Sequence, residues 1–163
     1  MRAVVLAVGL TVLAQGTTGG PDNKAVMAAV HQFVDAFNKG DTKTATAVCA
    51  DETSIIDEFP PHEWHGAGAC GKWMADYDAD AKKNSITDGV VTVGAPKHVD
   101  VTADRAYVVV PADYSYKKAG KAVKEVGSMF TVALQKALGD GVSPGGPGPR
   151  TRWDCAVKTR ESA

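Results

Sequence analysis

The chain has 163 residues, 44% of them apolar, and a formal net charge of -1. That is enough for one domain with a hydrophobic core and short for two. The balanced charge, with Lys and Arg scattered along the chain, argues against a nucleic-acid partner.

The first sixteen residues, MRAVVLAVGLTVLAQG, place Arg2 before an unbroken apolar run from Ala3 to Ala14. Ala14 and Gly16 supply the small residues a signal peptidase requires. The run is shorter than the roughly 20 residues that span a bilayer. Residues 1–16 are therefore expected to be a cleaved signal peptide and residues 17–21 a linker. The mature protein would be secreted or periplasmic, with no membrane insertion after cleavage.

Asp22 can cap a helix from about Asn23 to Lys39, in which Val26, Val30, Phe33, Val34 and Phe37 recur at the helical period. Gly40 supplies its stop, and Asp41 caps a second helix that should reach about Ala50. Ser54 to Asp57 reads as a short strand. Pro60 and Pro61 end it in a turn, which leaves His62-Glu63-Trp64-His65 in a loop. A third helix fits Ala67 to Lys83, with Trp73, Met74 and Tyr77 on its buried side.

From Asp88 onward, β-branched and aromatic residues alternate, with turn signals at Ala103-Asp104 and Lys118-Ala119-Gly120. Gly94-Ala95-Pro96 predicts a bulge or sharp bend. Three helices followed by a meander define an α+β domain over residues 22–138, its curved antiparallel sheet wrapped around a helix. Pro144, Pro147 and Pro149 cannot sit in a central strand. The last strand is thus expected to be missing or disrupted, and residues 139–163 to form an irregular tail. A shifted reading frame across Val142–Thr151 is the hypothesis offered for that tail.

Three cysteines, Cys49, Cys70 and Cys155, lack metal-ligand spacing. In an oxidising compartment Cys49 and Cys70 can pair; otherwise they are two small buried thiols. His62 and His65 lack the i,i+4 helical spacing of a zinc-peptidase motif, so no metal is assigned. No nucleophile elbow, P-loop or dinucleotide fingerprint occurs, and no cofactor is expected.

The segment FVDAFNKGDTKTATAVCADETSIIDEF carries an aromatic first helix, an Asn38-Lys39-Gly40-Asp41 turn and Ala50-Asp51-Glu52 before a strand. It resembles the nuclear transport factor 2-like superfamily, which includes ketosteroid isomerases, scytalone dehydratase and SnoaL-type polyketide cyclases. The resemblance implies a cone-shaped α+β barrel with a cavity between helices and sheet, and commonly a homodimer through the outer sheet face. Counted without gaps from Ala50-Asp51, the isomerase general base falls on Asp57. The tyrosine that such isomerases carry on the first helix is replaced here by Phe33, and a phenyl ring donates no hydrogen bond.

Asp57 is accordingly the candidate acid–base residue, with His62 and His65 in support. Strand alternation places Ile55 and Asp57 on one face. Phe33, Phe37, Ile55, Trp64, Trp73 and Tyr114 are the candidate pocket wall. Tyr114 and Tyr116 share a sheet face with Val108 and Val110, Tyr107 takes the other, and either face can line the cavity. His31 and Asp35 read as an exposed i,i+4 pair. The leading functional expectation is a domain that binds a small hydrophobic molecule. The alternatives are an acid–base isomerase, dehydratase or cyclase using Asp57, and a dimeric interaction module without catalysis.

Overall fold

A computed structural model describes residues 21–139 and 150–160. The expected signal peptide and most of the linker lie outside the described residues. Among the described residues there are three helices and seven strands, and no helix is long and apolar enough to cross a membrane.

Helix α1 (Pro21–Asn38) buries Val26, Ala29, Val30, Phe33 and Val34, the stripe its 3.6-residue period places on one side. Gly40 takes a positive φ of 65° and ends it, with the Asp41 amide returning to the Ala36 carbonyl at 2.9 Å. The Asp41 carboxylate then accepts from the Thr44 amide at 3.0 Å and caps α2 (Thr42–Thr46). This helix stops well before the expected Ala50. Three of its five residues are threonines, which form helix poorly, and Cys49 beyond it is tied by a disulfide to Cys70.

Strand β1 (Glu52–Ile56) pairs antiparallel with β2 (Glu63–Ala67), matching Ile55 to Trp64 and Ser54 to His65. The turn between them holds a cis Pro60–Pro61 bond, and the Asp57 amide reaches the His62 carbonyl at 2.9 Å. The expectation of a loop through Glu63–His65 is therefore corrected. The prolines make the hairpin turn, and pairing resumes immediately after it. Gly68, at φ 74°, opens α3 (Ala69–Lys83), which buries Cys70, Trp73 and Met74.

The main sheet is antiparallel. Strand β5 (Arg105–Lys118) pairs along one side with β3 (Ile86–Val93) and β4 (His98–Thr102), and along the other with β6 (Lys121–Gly139). The Gly94–Pro96 break separates β3 from β4. The ladder itself shifts register elsewhere, between Thr87 and Val90 and between Ala112 and Tyr114. Such shifts bend a strand and sharpen its twist, giving the cone its curvature. Val108 opposite Val132 and Val110 opposite Phe130 put the inner face against the helices. Three of those four side chains are fully buried and Phe130 nearly so.

The expected loss of the last strand is also corrected. Arg150–Arg160 forms β7, antiparallel to β6 from Gly139 opposite Arg150 to Met129 opposite Arg160. All three objecting prolines precede it. The eleven residues RTRWDCAVKTR contain neither Pro nor Gly, so each has an amide for the ladder. Residues 140–149, over which most of the frame-shift argument runs, lie outside the described residues.

Candidate ligand pocket

Between α1, α3, the β1–β2 hairpin and the main sheet lies a cavity of about 990 Å³. Phe33 and Phe37 reach it from α1, Trp73 and Tyr77 from α3, and Phe59 from the hairpin turn. The rings pack on one another: Phe37 lies 5.4 Å from Trp73 and 4.9 Å from Tyr77, and Phe59 lies 5.9 Å from Tyr77. The α1 end of this wall is held by Asn38. Its side chain donates to the Val91 carbonyl and accepts from the Val91 amide, both at 2.8 Å, fixing the helix to β3.

Asp57 follows the last paired residue of β1 and turns its carboxylate into the cavity. One oxygen accepts from the Trp73 indole N–H at 2.8 Å and the other from the Glu58 amide at 2.7 Å. Burial nevertheless pushes the Asp57 carboxyl above its ordinary value. The Trp73 and Glu58 bonds and the nearby His62 only partly oppose that effect. His62 lines the cavity from the turn with an exposed side chain, its Nδ1 3.3 Å from the Asp57 carbonyl oxygen.

His65 does not join them. It sits on the outer face of β2, beside the Ser54 hydroxyl at 3.1 Å and Glu63 at 3.2 Å, in water. Trp64 takes the inner face, buried, and donates its indole N–H to Asp76 at 2.8 Å. Its ring backs Phe59 at 5.0 Å, so it stands behind the wall and does not line the cavity. Ile55, opposite Trp64 and fully buried, does the same. The residue of β1 that does line the cavity is Ile56, because Asp57 lies past the strand and outside its alternation.

Tyr114 lines the cavity, and its hydroxyl is hydrogen-bonded to that of Tyr77. Burial raises the pKa of both phenols, so the pair stays protonated. Gly89 permits this approach: a Cβ there would stand 2.5 Å from the Tyr114 hydroxyl oxygen and 2.8 Å from that of Tyr77. Tyr114 stacks on Tyr116 at 4.8 Å, and Tyr116 donates to Glu125 at 2.7 Å. That bond pushes the Tyr116 phenol up to about 12. Val108 and Val110 are fully buried in the core, Tyr114 lines the cavity, and Tyr107, although 45% exposed, is also among the lining residues. His31 and Asp35 are exposed, away from this chemistry.

Sequence reasoning missed Phe59, Glu125 and the pairing of Tyr77 with Tyr114. A phenylalanine directly before two prolines was the available signal for Phe59. Among the described residues, no group of three or more His, Cys, Asp or Glu side chains is placed to hold a metal ion.

No family model and no curated protein matches the chain. Solved structures do. A nuclear transport factor 2-like superfamily protein from Salmonella enterica serovar Typhimurium superposes with a TM-score of 0.63 at 12% identity, over 86% of this chain and 90% of that one. A protein of unknown function from Mycobacterium tuberculosis gives 0.62 at 15% identity, over 85% and 75%. A ketosteroid isomerase-like protein from Erwinia carotovora atroseptica gives 0.56 at 15% identity, over 88% and 100%. The protein has the nuclear transport factor 2-like fold. At these identities the likeness concerns fold alone, since one fold hosts many activities.

Proposed function

We propose that the protein binds a small, mostly apolar molecule in the cone. The observation that carries this reading is a cavity of about 990 Å³ walled by Phe33, Phe37, Phe59, Trp73 and Tyr77, with Asp57 among its lining carboxylates. A predominantly apolar and aromatic wall that also carries polar groups is the usual character of a ligand site. Titrating the neutral dye N-phenyl-1-naphthylamine and following dye emission tests it. Saturable binding that Phe37→Ala weakens supports the reading, and absence of saturable binding by folded protein refutes it.

A second reading, acid–base isomerisation, dehydration or cyclisation, is favoured by one observation: burial raises the Asp57 carboxyl toward the range a general base uses. His62 is its supporting group; His65, outside the cavity, has no part in it. Turnover lost in Asp57→Asn with binding retained would support this reading. Secretion or export to the periplasm belongs to the same proposal, supported by the Cys49–Cys70 disulfide. So does assembly with a second copy, supported by exposed Val90, Tyr107 and Val126 on the sheet. Sedimentation of the purified protein would show that dimer or a monomer.

A further inference from the structure

We propose that the Cys49–Cys70 bridge is a redox switch on the cavity: the oxidised chain holds its ligand, and reduction of the bridge releases it. The inference rests on the binding reading above and goes further by giving that site a control.

The bridge stands at one end of the row that builds the wall. Cys70, Trp73 and Tyr77 recur at i, i+3 and i+7 on one side of α3. Trp73 gives its ring to the cavity and its indole N–H to Asp57 at 2.8 Å, and the Tyr77 hydroxyl is bonded to that of Tyr114. The partner of the indole lies inside the bridged loop. Between Cys49 and Cys70 run β1, the prolyl turn and β2, and the turn brings Asp57, Phe59 and His62 to the lining. One S–S bond therefore closes a loop of chain that contains Asp57 and ends three residues before Trp73.

The two ends of α3 are fastened differently. At its C-terminal end the Asn84 amide and side chain both donate to the Asp80 carbonyl, and the Ala119 amide donates to the Ser85 carbonyl at 2.9 Å. At its N-terminal end the cap position is Gly68, which has no side chain to satisfy the first amides. The first turn runs against α2 through small groups. A Cβ at Gly71 would stand 3.9 Å from the Thr46 Cγ2, and the buried residues nearby are Ala45 and Ala69. Such groups bury little apolar area, and α2 has five residues, too few to hold a helix by itself. The covalent bond does here what capping does at the other end. Without it the first turn frays, and the indole that holds Asp57 moves with it.

A dithiol reductant opens the bridge in two exchanges. Its first thiolate attacks a bridge sulfur, forming a mixed disulfide and releasing the other cysteine as a thiolate. Its second thiolate then displaces the remaining protein sulfur. The bridge gains two electrons and two protons, and the dithiol becomes a disulfide. Cys49 is 9% exposed and Cys70 3%, so Cys49 is the sulfur in closer reach. Cys70 is then the leaving group, on the first turn of α3, where the positive end of the helix dipole stabilises a thiolate.

Titrating N-phenyl-1-naphthylamine into the whole chain before and after dithiothreitol tests the switch, with circular dichroism recorded on the same samples. Reduction should weaken dye binding about tenfold while the secondary-structure signal is retained. It should also speed solvent exchange of the Trp73 indole proton, and reoxidation should restore both. Cys49→Ala/Cys70→Ala should bind as the reduced chain does and ignore dithiothreitol, which separates the bridge from Cys155. Equal binding by the oxidised and reduced chains overturns the switch and leaves the pocket standing. A response to dithiothreitol in the double variant also overturns it. So does a global loss of dichroism on reduction, because the bridge would then hold the whole fold and not the site. If the oxidised chain with native dichroism binds no dye, the pocket reading itself falls and takes the inference with it.

Discussion

The Trp73 indole donates to the Asp57 carboxylate at 2.8 Å, joining α3 to the end of β1 across sixteen residues. Trp73 is buried and its ring is part of the wall, so one side chain both shapes the cavity and holds its acid. Trp73→Phe keeps most of the ring and removes the donor. It should cost about 2 kcal/mol in urea unfolding, the size of a hydrogen bond to a charged group. The lost bond favours the ionised form, so the Asp57 carboxyl should titrate still higher in the variant, as followed by carboxyl carbon NMR. A titration unchanged from wild type would remove Trp73 from this role.

The raised Asp57 carboxyl also sets a pH dependence. Its folded value lies above the ordinary 3.8, so the native state holds the proton more tightly than the unfolded chain. The stabilising contribution is fully present below pH 3.8 and is lost as pH rises through the folded value. Asparagine cannot ionise. The stability of Asp57→Asn relative to wild type should therefore climb over that interval and level off above it. Chemical melts from pH 3 to 7 would read this directly, and a difference that stays flat would contradict it.

Gly89 is the position where the tyrosine pair depends on a missing side chain. A methyl group there meets both hydroxyl oxygens inside van der Waals contact. Gly89→Ala should cost about 1–3 kcal/mol by overpacking. Adding Tyr114→Phe removes one of the two oxygens and should recover part of the loss. No recovery in the double variant would mean the strain falls elsewhere on β3.

The Cys49–Cys70 bridge should appear as an intact mass lower by two hydrogens and as protection of both thiols from alkylation. With 21 residues of separation, its reduction should cost about 3 kcal/mol. Because Trp73 follows Cys70 by one helical turn, its emission should shift on reduction before global unfolding. Two freely alkylated thiols in protein prepared under oxidising conditions would exclude the bridge.

Much of the frame was legible in the residues themselves. The apolar stripe of α1, the Asn38–Asp41 turn and the Asp41 cap follow from local rules that need no distant partner. Asp57 and the inward Phe33, Phe37, Trp73 and Tyr114 were also within reach. Two features were misread because prolines were treated as ending structure over more residues than they occupy. The alternation Trp64-in, His65-out was present in the sequence, yet Pro60–Pro61 turned it into a loop on paper; it is a paired strand. Likewise Pro144, Pro147 and Pro149 hid a proline-free stretch behind them. The Tyr77–Tyr114 bond was not legible at all, since it needs α3, the register shift in β3 and Gly89 to meet in space.

Strand β7 has a consequence for how the molecule assembles. It pairs with β6 but also lies beside β1 and α1, elements placed about a hundred residues or more earlier in the chain. Contacts between such distant segments form late, because a long loop must close before they repay its entropy. The helices and the β3–β6 meander can therefore organise while this side of the cone is still open to water. Refolding should show an early phase that gains secondary structure and a later one in which β6 amides become protected from hydrogen exchange.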